Sequence, residues 1–130
     1  MHNKGFTLIE LVVAIVIFAI GIVGVAKLQM AAVAGNAYSQ HLSQALTVAQ
    51  NEVEFLQGLD YNRTNVPAEL SNGGHNLAAV TSSQGITYQR GYTVAQLAGV
   101  TDALDVHVFV AWMEKWTTHG VTIDIIRSAN

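Results

Sequence analysis

Residues 6–26 form an apolar block in which the only ionisable side chain is Glu10. No chain folded in water can leave such a block bare, because the apolar surface has to be covered by something other than solvent. About 20 apolar residues suffice to cross roughly 30 Å of hydrocarbon as a helix, so the block predicts a transmembrane helix near the N terminus. Lys4 lies on the short flank and favours that end remaining cytoplasmic, although Lys27 follows the other end and narrows the bias. A removed secretory signal has an apolar stretch of about 7–15 residues followed by a small-residue cleavage site. Here the run is longer and helical patterning continues beyond it.

Composition matters mainly through its unevenness. The chain is 51% apolar and 12% charged, against the roughly 25% charged expected of a soluble domain. Much of the apolar excess sits in the block. With six Lys and Arg and a net charge of -3, no basic surface is available for a phosphate backbone, so no nucleic acid is expected as a partner. There is no cysteine, hence no disulfide and no thiol chemistry.

Glu10 does not suit a plain anchor. An acidic group at mid-bilayer costs about 2.5–3.5 kcal/mol on insertion scales, and less near the interface. Two local explanations exist: the residue sits at headgroup depth, or it supports the helix N terminus as a first-turn acid. A third comes from its neighbours. Lys4-Gly5-Phe6-Thr7-Leu8-Ile9-Glu10, running directly into an apolar helix, resembles the type III signal sequence of type IV pilins and type II secretion pseudopilins. The resemblance implies that a prepilin peptidase cuts between Gly5 and Phe6 and methylates the new N-terminal Phe6. It also implies that Glu10 neutralises an N-terminal amine during filament assembly. A carboxylate and an ammonium are tolerable in an apolar bundle only together. The partners implied are the peptidase, the inner membrane, other pilins and minor pilins, and the assembly platform protein; no cofactor or metal is expected.

Nothing breaks helical patterning between Phe6 and about Leu59, since the single proline is Pro67. At about 1.5 Å per residue that is a rod of roughly 80 Å. In its second half Tyr38, Leu42, Ala45, Leu46, Ala49, Val53 and Leu56 recur at spacings of three and four, predicting one apolar stripe on an otherwise polar helix. Gly58 is a candidate C-terminal cap. Gly21 and Gly24 suit either close approach of another helix or a local bend.

Residues 60–85 read as loop, with Pro67, Ser71-Asn72-Gly73-Gly74 and Ser82-Ser83-Gln84-Gly85. Three strands are predicted beyond. The first puts Ile86, Tyr88, Tyr92 and Val94 on one face with Arg90 among them. Residues 105–113 put Val106, Val108, Val110 and Trp112 on one face and Asp105, His107, Phe109 and Ala111 on the other. Residues 121–127 point Val121, Ile123 and Ile125 inward, and 117–120 connect them to the previous strand as a hairpin. The expected fold is therefore α+β, a long helix laid on a small antiparallel sheet. Its parts are a leader at 1–5, an assembly half of the helix at 6–27, an amphipathic half at 28–59 and a β-rich head at 60–130. The head would be periplasmic, and would later reach a pilus or pseudopilus.

His2, His41, His75, His107 and His119 form no close-spaced ligand pair, and Asp105 with His107 supplies only two candidate ligands. No phosphate loop, nucleophile elbow or acid/base constellation stands out, so no catalytic role is expected. Trp112, Trp116, Tyr88 and Tyr92 read first as core. Asn62-Arg63-Thr64 matches the glycosylation acceptor pattern only by coincidence of three residues. Ala34-Gly35-Asn36-Ala37, the segment from Ala45 to Leu56 and the two C-terminal strands resemble PilV-type minor pilins, which implies a role in priming or modifying type IV pilus assembly. Small pseudopilins of type II secretion share the signal and the Ala49-Gln50-Asn51-Glu52-like segment. Lys27 stands where many major pilins carry proline. A single-pass anchored enzyme or binding module is the alternative from another class.

Overall fold

The computed structural model describes residue 5, residues 7–62 and residues 64–129. In order, these form α1 (Leu8–Gly58), a short 3-10 turn (Ala68–Leu70) and four strands, β1 (Gly73–Thr81), β2 (Thr87–Gln96), β3 (Ala103–Glu114) and β4 (Thr117–Ser128). Contacts divide the chain into two units, Met1–Gln40 and His41–Asn130. In the first, the described residues from Leu8 onward are helix, continuous through Gly21 and Gly24. The second is α+β, as expected: the C-terminal part of α1 packs on an antiparallel sheet of order β1-β2-β3-β4.

The core forms where the two periodicities meet. On β3 the alternation is complete, with Val106, Val108, Val110 and Trp112 no more than 2% exposed. Across the ladder Val106, Val108 and Val110 face Ile125, Ile123 and Val121 of β4. From α1 the layer receives Ala45, Ala49 and Leu56, and Tyr61, Leu70, Tyr88, Tyr92 and Val94 complete it. Alanine at two successive turns lets the helix sit close to the sheet, while Leu56 fills the wider end.

Four details depart from the sequence reading. Residues 73–81 are a strand, not loop: β1 pairs with β2 from Gly73 opposite Val94 to Thr81 opposite Thr87, with an irregularity between Leu77 and Val80. The β3–β4 turn is Lys115-Trp116, and residues 117–120 already belong to β4, with Glu114 opposite Thr117. Both turn residues have positive φ, 46° and 72°, because a two-residue hairpin must twist with its strands. The helix stripe is rotated as well. His41 and Glu52 are buried on it, whereas Tyr38 and Leu46 are exposed. Finally, Gly58 ends α1 without adopting a left-handed conformation. Instead, Arg127 of β4 donates from Nη2 to the Leu59 carbonyl at 2.6 Å, satisfying a backbone acceptor just past the helix end.

One glycine is required by its surroundings. Gly91, in the middle of β2, lies opposite Phe109, and a Cβ there would come within 2.6 Å of Phe109 Cζ and 2.7 Å of the His75 carbonyl oxygen. The ring can swing aside; the carbonyl belongs to the neighbouring strand and cannot move alone. Gly91→Ala is expected to destabilise the head by about 1–3 kcal/mol, the usual cost of overpacking. Adding Phe109→Ala should relieve the ring clash but leave the one with the carbonyl. An unchanged thermal midpoint for the single variant would show that β1 gives way freely.

Candidate functional site

The segment singled out by the sequence begins at Gly5, which is exposed and has no atom within 4 Å of where a Cβ would stand. Lys4 and Phe6, the latter carrying the expected new N terminus, lie outside the described residues, as do His2 and Arg63. Thr7 immediately precedes α1 and Glu10 is the third helical residue. Glu10 Oε2 accepts from the Thr7 backbone N–H at 3.0 Å and from Thr7 Oγ1 at 2.9 Å. In return the Glu10 N–H approaches Thr7 Oγ1 at 3.4 Å, and Leu11 N–H makes the first helical bond, to the Thr7 carbonyl, at 3.3 Å. This is a capping box, in which a Thr at the N-cap and a Glu three residues on satisfy each other's donors. Thr7 is the functional residue that the sequence reading overlooked. Its signal was present as Thr-x-x-Glu directly before an apolar run.

The same arrangement holds the only carboxylate of the apolar block against Thr7, two residues after Gly5. Thr7 is covalently joined to Phe6, whose nitrogen becomes a free amine once the Gly5–Phe6 bond is broken. The helix behind it is bare. One 18-residue window of α1 has a mean hydropathy of 3.0 with none of it buried. Leu8, Ile17, Phe18 and Ile20 are each at least 66% exposed. Around Gly21 a shallow apolar groove of about 420 Å³ is bordered by Phe18, Ile22, Val25 and Ala26. That surface can be covered by lipid or by other apolar helices, and small residues such as Gly21 permit close helix approach.

These N-terminal features can be compared with known proteins. Residues 1–26 match the prokaryotic N-terminal methylation motif. The motif marks a type IV pilin- or pseudopilin-like protein and implies processing by prepilin peptidase. With the apolar helix that follows, it is consistent with anchoring in the inner membrane. No curated protein and no solved structure matches the chain. The match thus ends within the apolar part of α1 and does not extend to the sheet.

In the head the histidines serve packing and pairing. His75 stacks on Tyr92 at 4.6 Å and bonds to the Ser71 carbonyl through Nε2 at 2.9 Å. His119 stacks on Trp112 at 5.5 Å, and His41 is buried on α1. Asp105 and His107 do share the outer face of β3, and register brings Asp124 of β4 beside them. His107 bonds Asp124 through Nδ1 at 2.6 Å and approaches Asp105 through Nε2 at 3.3 Å. Both ring nitrogens are thereby turned to carboxylates, an arrangement for an imidazolium and not for a metal. Among the described residues no group of three or more His, Cys, Asp or Glu side chains is arranged to hold a metal ion. Tyr88, Tyr92 and Trp112 are core, as read, whereas Trp116 is 95% exposed.

The hydrogen bond from Asp124, followed by the charge of Asp105, raises the His107 pKa above its ordinary 6.5. A raised folded-state pKa means that folding favours the protonated ring. The stabilisation is therefore fully present below about pH 6.5 and is lost as pH climbs through the raised folded value. Thermal unfolding from mildly acidic to mildly alkaline pH should show the midpoint falling across that window. His107→Gln should flatten this fall; an equally steep fall in the variant would assign the effect elsewhere.

Proposed function

We propose that this chain is a filament subunit that enters the inner membrane through residues 6–27, with residues 1–5 cytoplasmic and the head periplasmic. It is cut between Gly5 and Phe6, methylated at Phe6, and drawn into a type IV pilus as a minor pilin that primes or modifies assembly. The match of residues 1–26 to the methylation motif carries this reading. The uncovered apolar helix and the Glu10 carboxylate, bonded to Thr7 next in sequence to the new N-terminal residue, support it. The partners on this reading are the peptidase, the assembly platform protein, and other pilins whose helices cover α1. The chain acts by assembling, not by catalysis. A type II secretion pseudopilin is the second reading, favoured by the same motif and by the Ala49-Gln50-Asn51-Glu52 segment. Mass spectrometry of the mature chain decides between filament subunit and plain anchored module. N-methyl-Phe6 at the N terminus is expected; an intact Met1, or loss of the whole apolar segment, would overturn the proposal.

Glu10 has two separable properties, a capping acceptor and a charge. Glu10→Ala should leave membrane insertion intact and reduce incorporation into filaments. Glu10→Gln retains an acceptor at the third helical position, which a capping box tolerates, but cannot pair with an ammonium. If charge pairing is what assembly needs, Gln will incorporate as poorly as Ala. Recovery by Gln, scored by the share of the chain in sheared filaments, would assign the role to capping instead.

A further inference from the structure

One edge of the sheet, β4, differs from the edges natural proteins usually leave in solvent; the other, β1, carries one irregularity, between Leu77 and Val80. Solvent-exposed edges are blunted by shortness, bulges, proline, lysine or a covering element. β4 is a 12-residue edge strand, joined to β3 without a register shift from Ala103 opposite Ser128 to Glu114 opposite Thr117. It holds no proline and no lysine, and its two charges are occupied: Asp124 by His107, Arg127 by the Leu59 carbonyl. Its inward row is also unfinished. Val121, Ile123 and Ile125 are only half-buried, whereas Val106, Val108 and Val110 beside them are at most 1% exposed. A fifth strand beyond β4 would close that row.

We infer that β4 pairs with β1 of a second copy, extending the sheet from one head to the next. Three observations select this occupant. β1 carries no charged residue, so nothing on it repels β4. Its own inward row, His75, Leu77 and Val80, is likewise incompletely covered, with Val80 37% exposed. In a sheet of four alternating strands the two edges run in opposite directions. Copies set side by side with their helices on one face therefore meet as an antiparallel pair, the geometry of strand addition. The inference rests on the filament reading in one respect. Subunits repeated by a single operation touch through two different patches, which β4 with β1 supplies and β4 with β4 does not.

The chain has no cysteine, so introduced thiols report cleanly. Full-length Thr122→Cys, on the outer side of β4, is co-expressed with a differently tagged copy carrying either Gly74→Cys or Asn76→Cys on the outer side of β1. Mild oxidation in membranes should give a mixed dimer several-fold more abundant than the dimer of Thr122→Cys alone, and stronger at one β1 position than the other. Adding Ile126→Lys, at an exposed site on the same strand face, should abolish the mixed dimer without moving the thermal midpoint. No mixed dimer at either position, an equally abundant Thr122→Cys homodimer, or indifference to Ile126→Lys would each overturn the inference. The mature N-terminal mass tests the filament reading separately, so failure of one is not mistaken for failure of the other.

Discussion

Arg90→Ala is expected to lower the unfolding free energy of the head by about 1–3 kcal/mol, the cost of leaving the Glu52 carboxylate without its donor at a part-buried site. Glu52 lies on the face of α1 that meets the sheet, and its side chain is 8% exposed. Arg90 of β2 reaches it through Nη1 at 2.9 Å, while its Nε donates to the Ala78 carbonyl of β1 at 3.0 Å. One guanidinium therefore ties the helix to two strands. Without it a carboxylate stays in the apolar layer with no counter-charge, and a β1 carbonyl loses a donor close to the irregularity between Leu77 and Val80. Replacing both partners by hydrophobic residues of similar length, as in Glu52→Leu with Arg90→Met, should recover most of the loss, since the penalty comes from the stranded charge. Urea unfolding of the two variants measures this. A double variant as unstable as Arg90→Ala would mean that the pair is needed for its geometry and not merely for neutrality.

Gly5→Val is expected to leave the chain at precursor size, with no mature band on immunoblots of membranes. The reasoning depends on what Gly5 does not do within the chain. It is exposed, its backbone lies outside the left-handed region, and a Cβ would meet nothing within 4 Å. A valine there costs the fold nothing. Any block must then arise where the chain meets another molecule, on the proposed reading a prepilin peptidase that needs a small residue before the cut. Gly5→Ala, adding one carbon, should be processed more slowly but not stopped. Mature-sized protein from Gly5→Val in normal amount would count against prepilin peptidase as the processing enzyme. The head's thermal midpoint, unchanged in both variants, separates this outcome from misfolding.

How far the sequence reading reached varies with the range of the interaction. The exposed apolar block, the Lys4-to-Glu10 motif and the continuity of α1 are properties of neighbouring residues, and they were legible. So was β3, whose strict alternation of Val106, Val108, Val110 and Trp112 with polar or smaller residues leaves one inward face. β1 was hidden because Gly73-Gly74 and Asn76 are weak strand formers, and only pairing with β2 makes them a strand. The polar members of the helix stripe were hidden for a related reason. A buried Glu52 is improbable until Arg90, 38 positions later, is known to face it. Thr7 differs from both: Thr-x-x-Glu before an apolar run is a local signal of a capping box, in which Glu10 serves as an acceptor as well as a charge.

By itself, then, the sequence determined that an apolar helix must find cover outside the chain, and that its one carboxylate, Glu10, lies within the first turns after the Gly5–Phe6 bond. Both follow from composition over a few adjacent turns. Tertiary structure alone decided which side of α1 meets the sheet, that Asp124 completes the bonding of His107, and that β4 is left as an open edge. Each of these depends on register between segments far apart in the chain, where a shift of one residue turns every side chain to the opposite face.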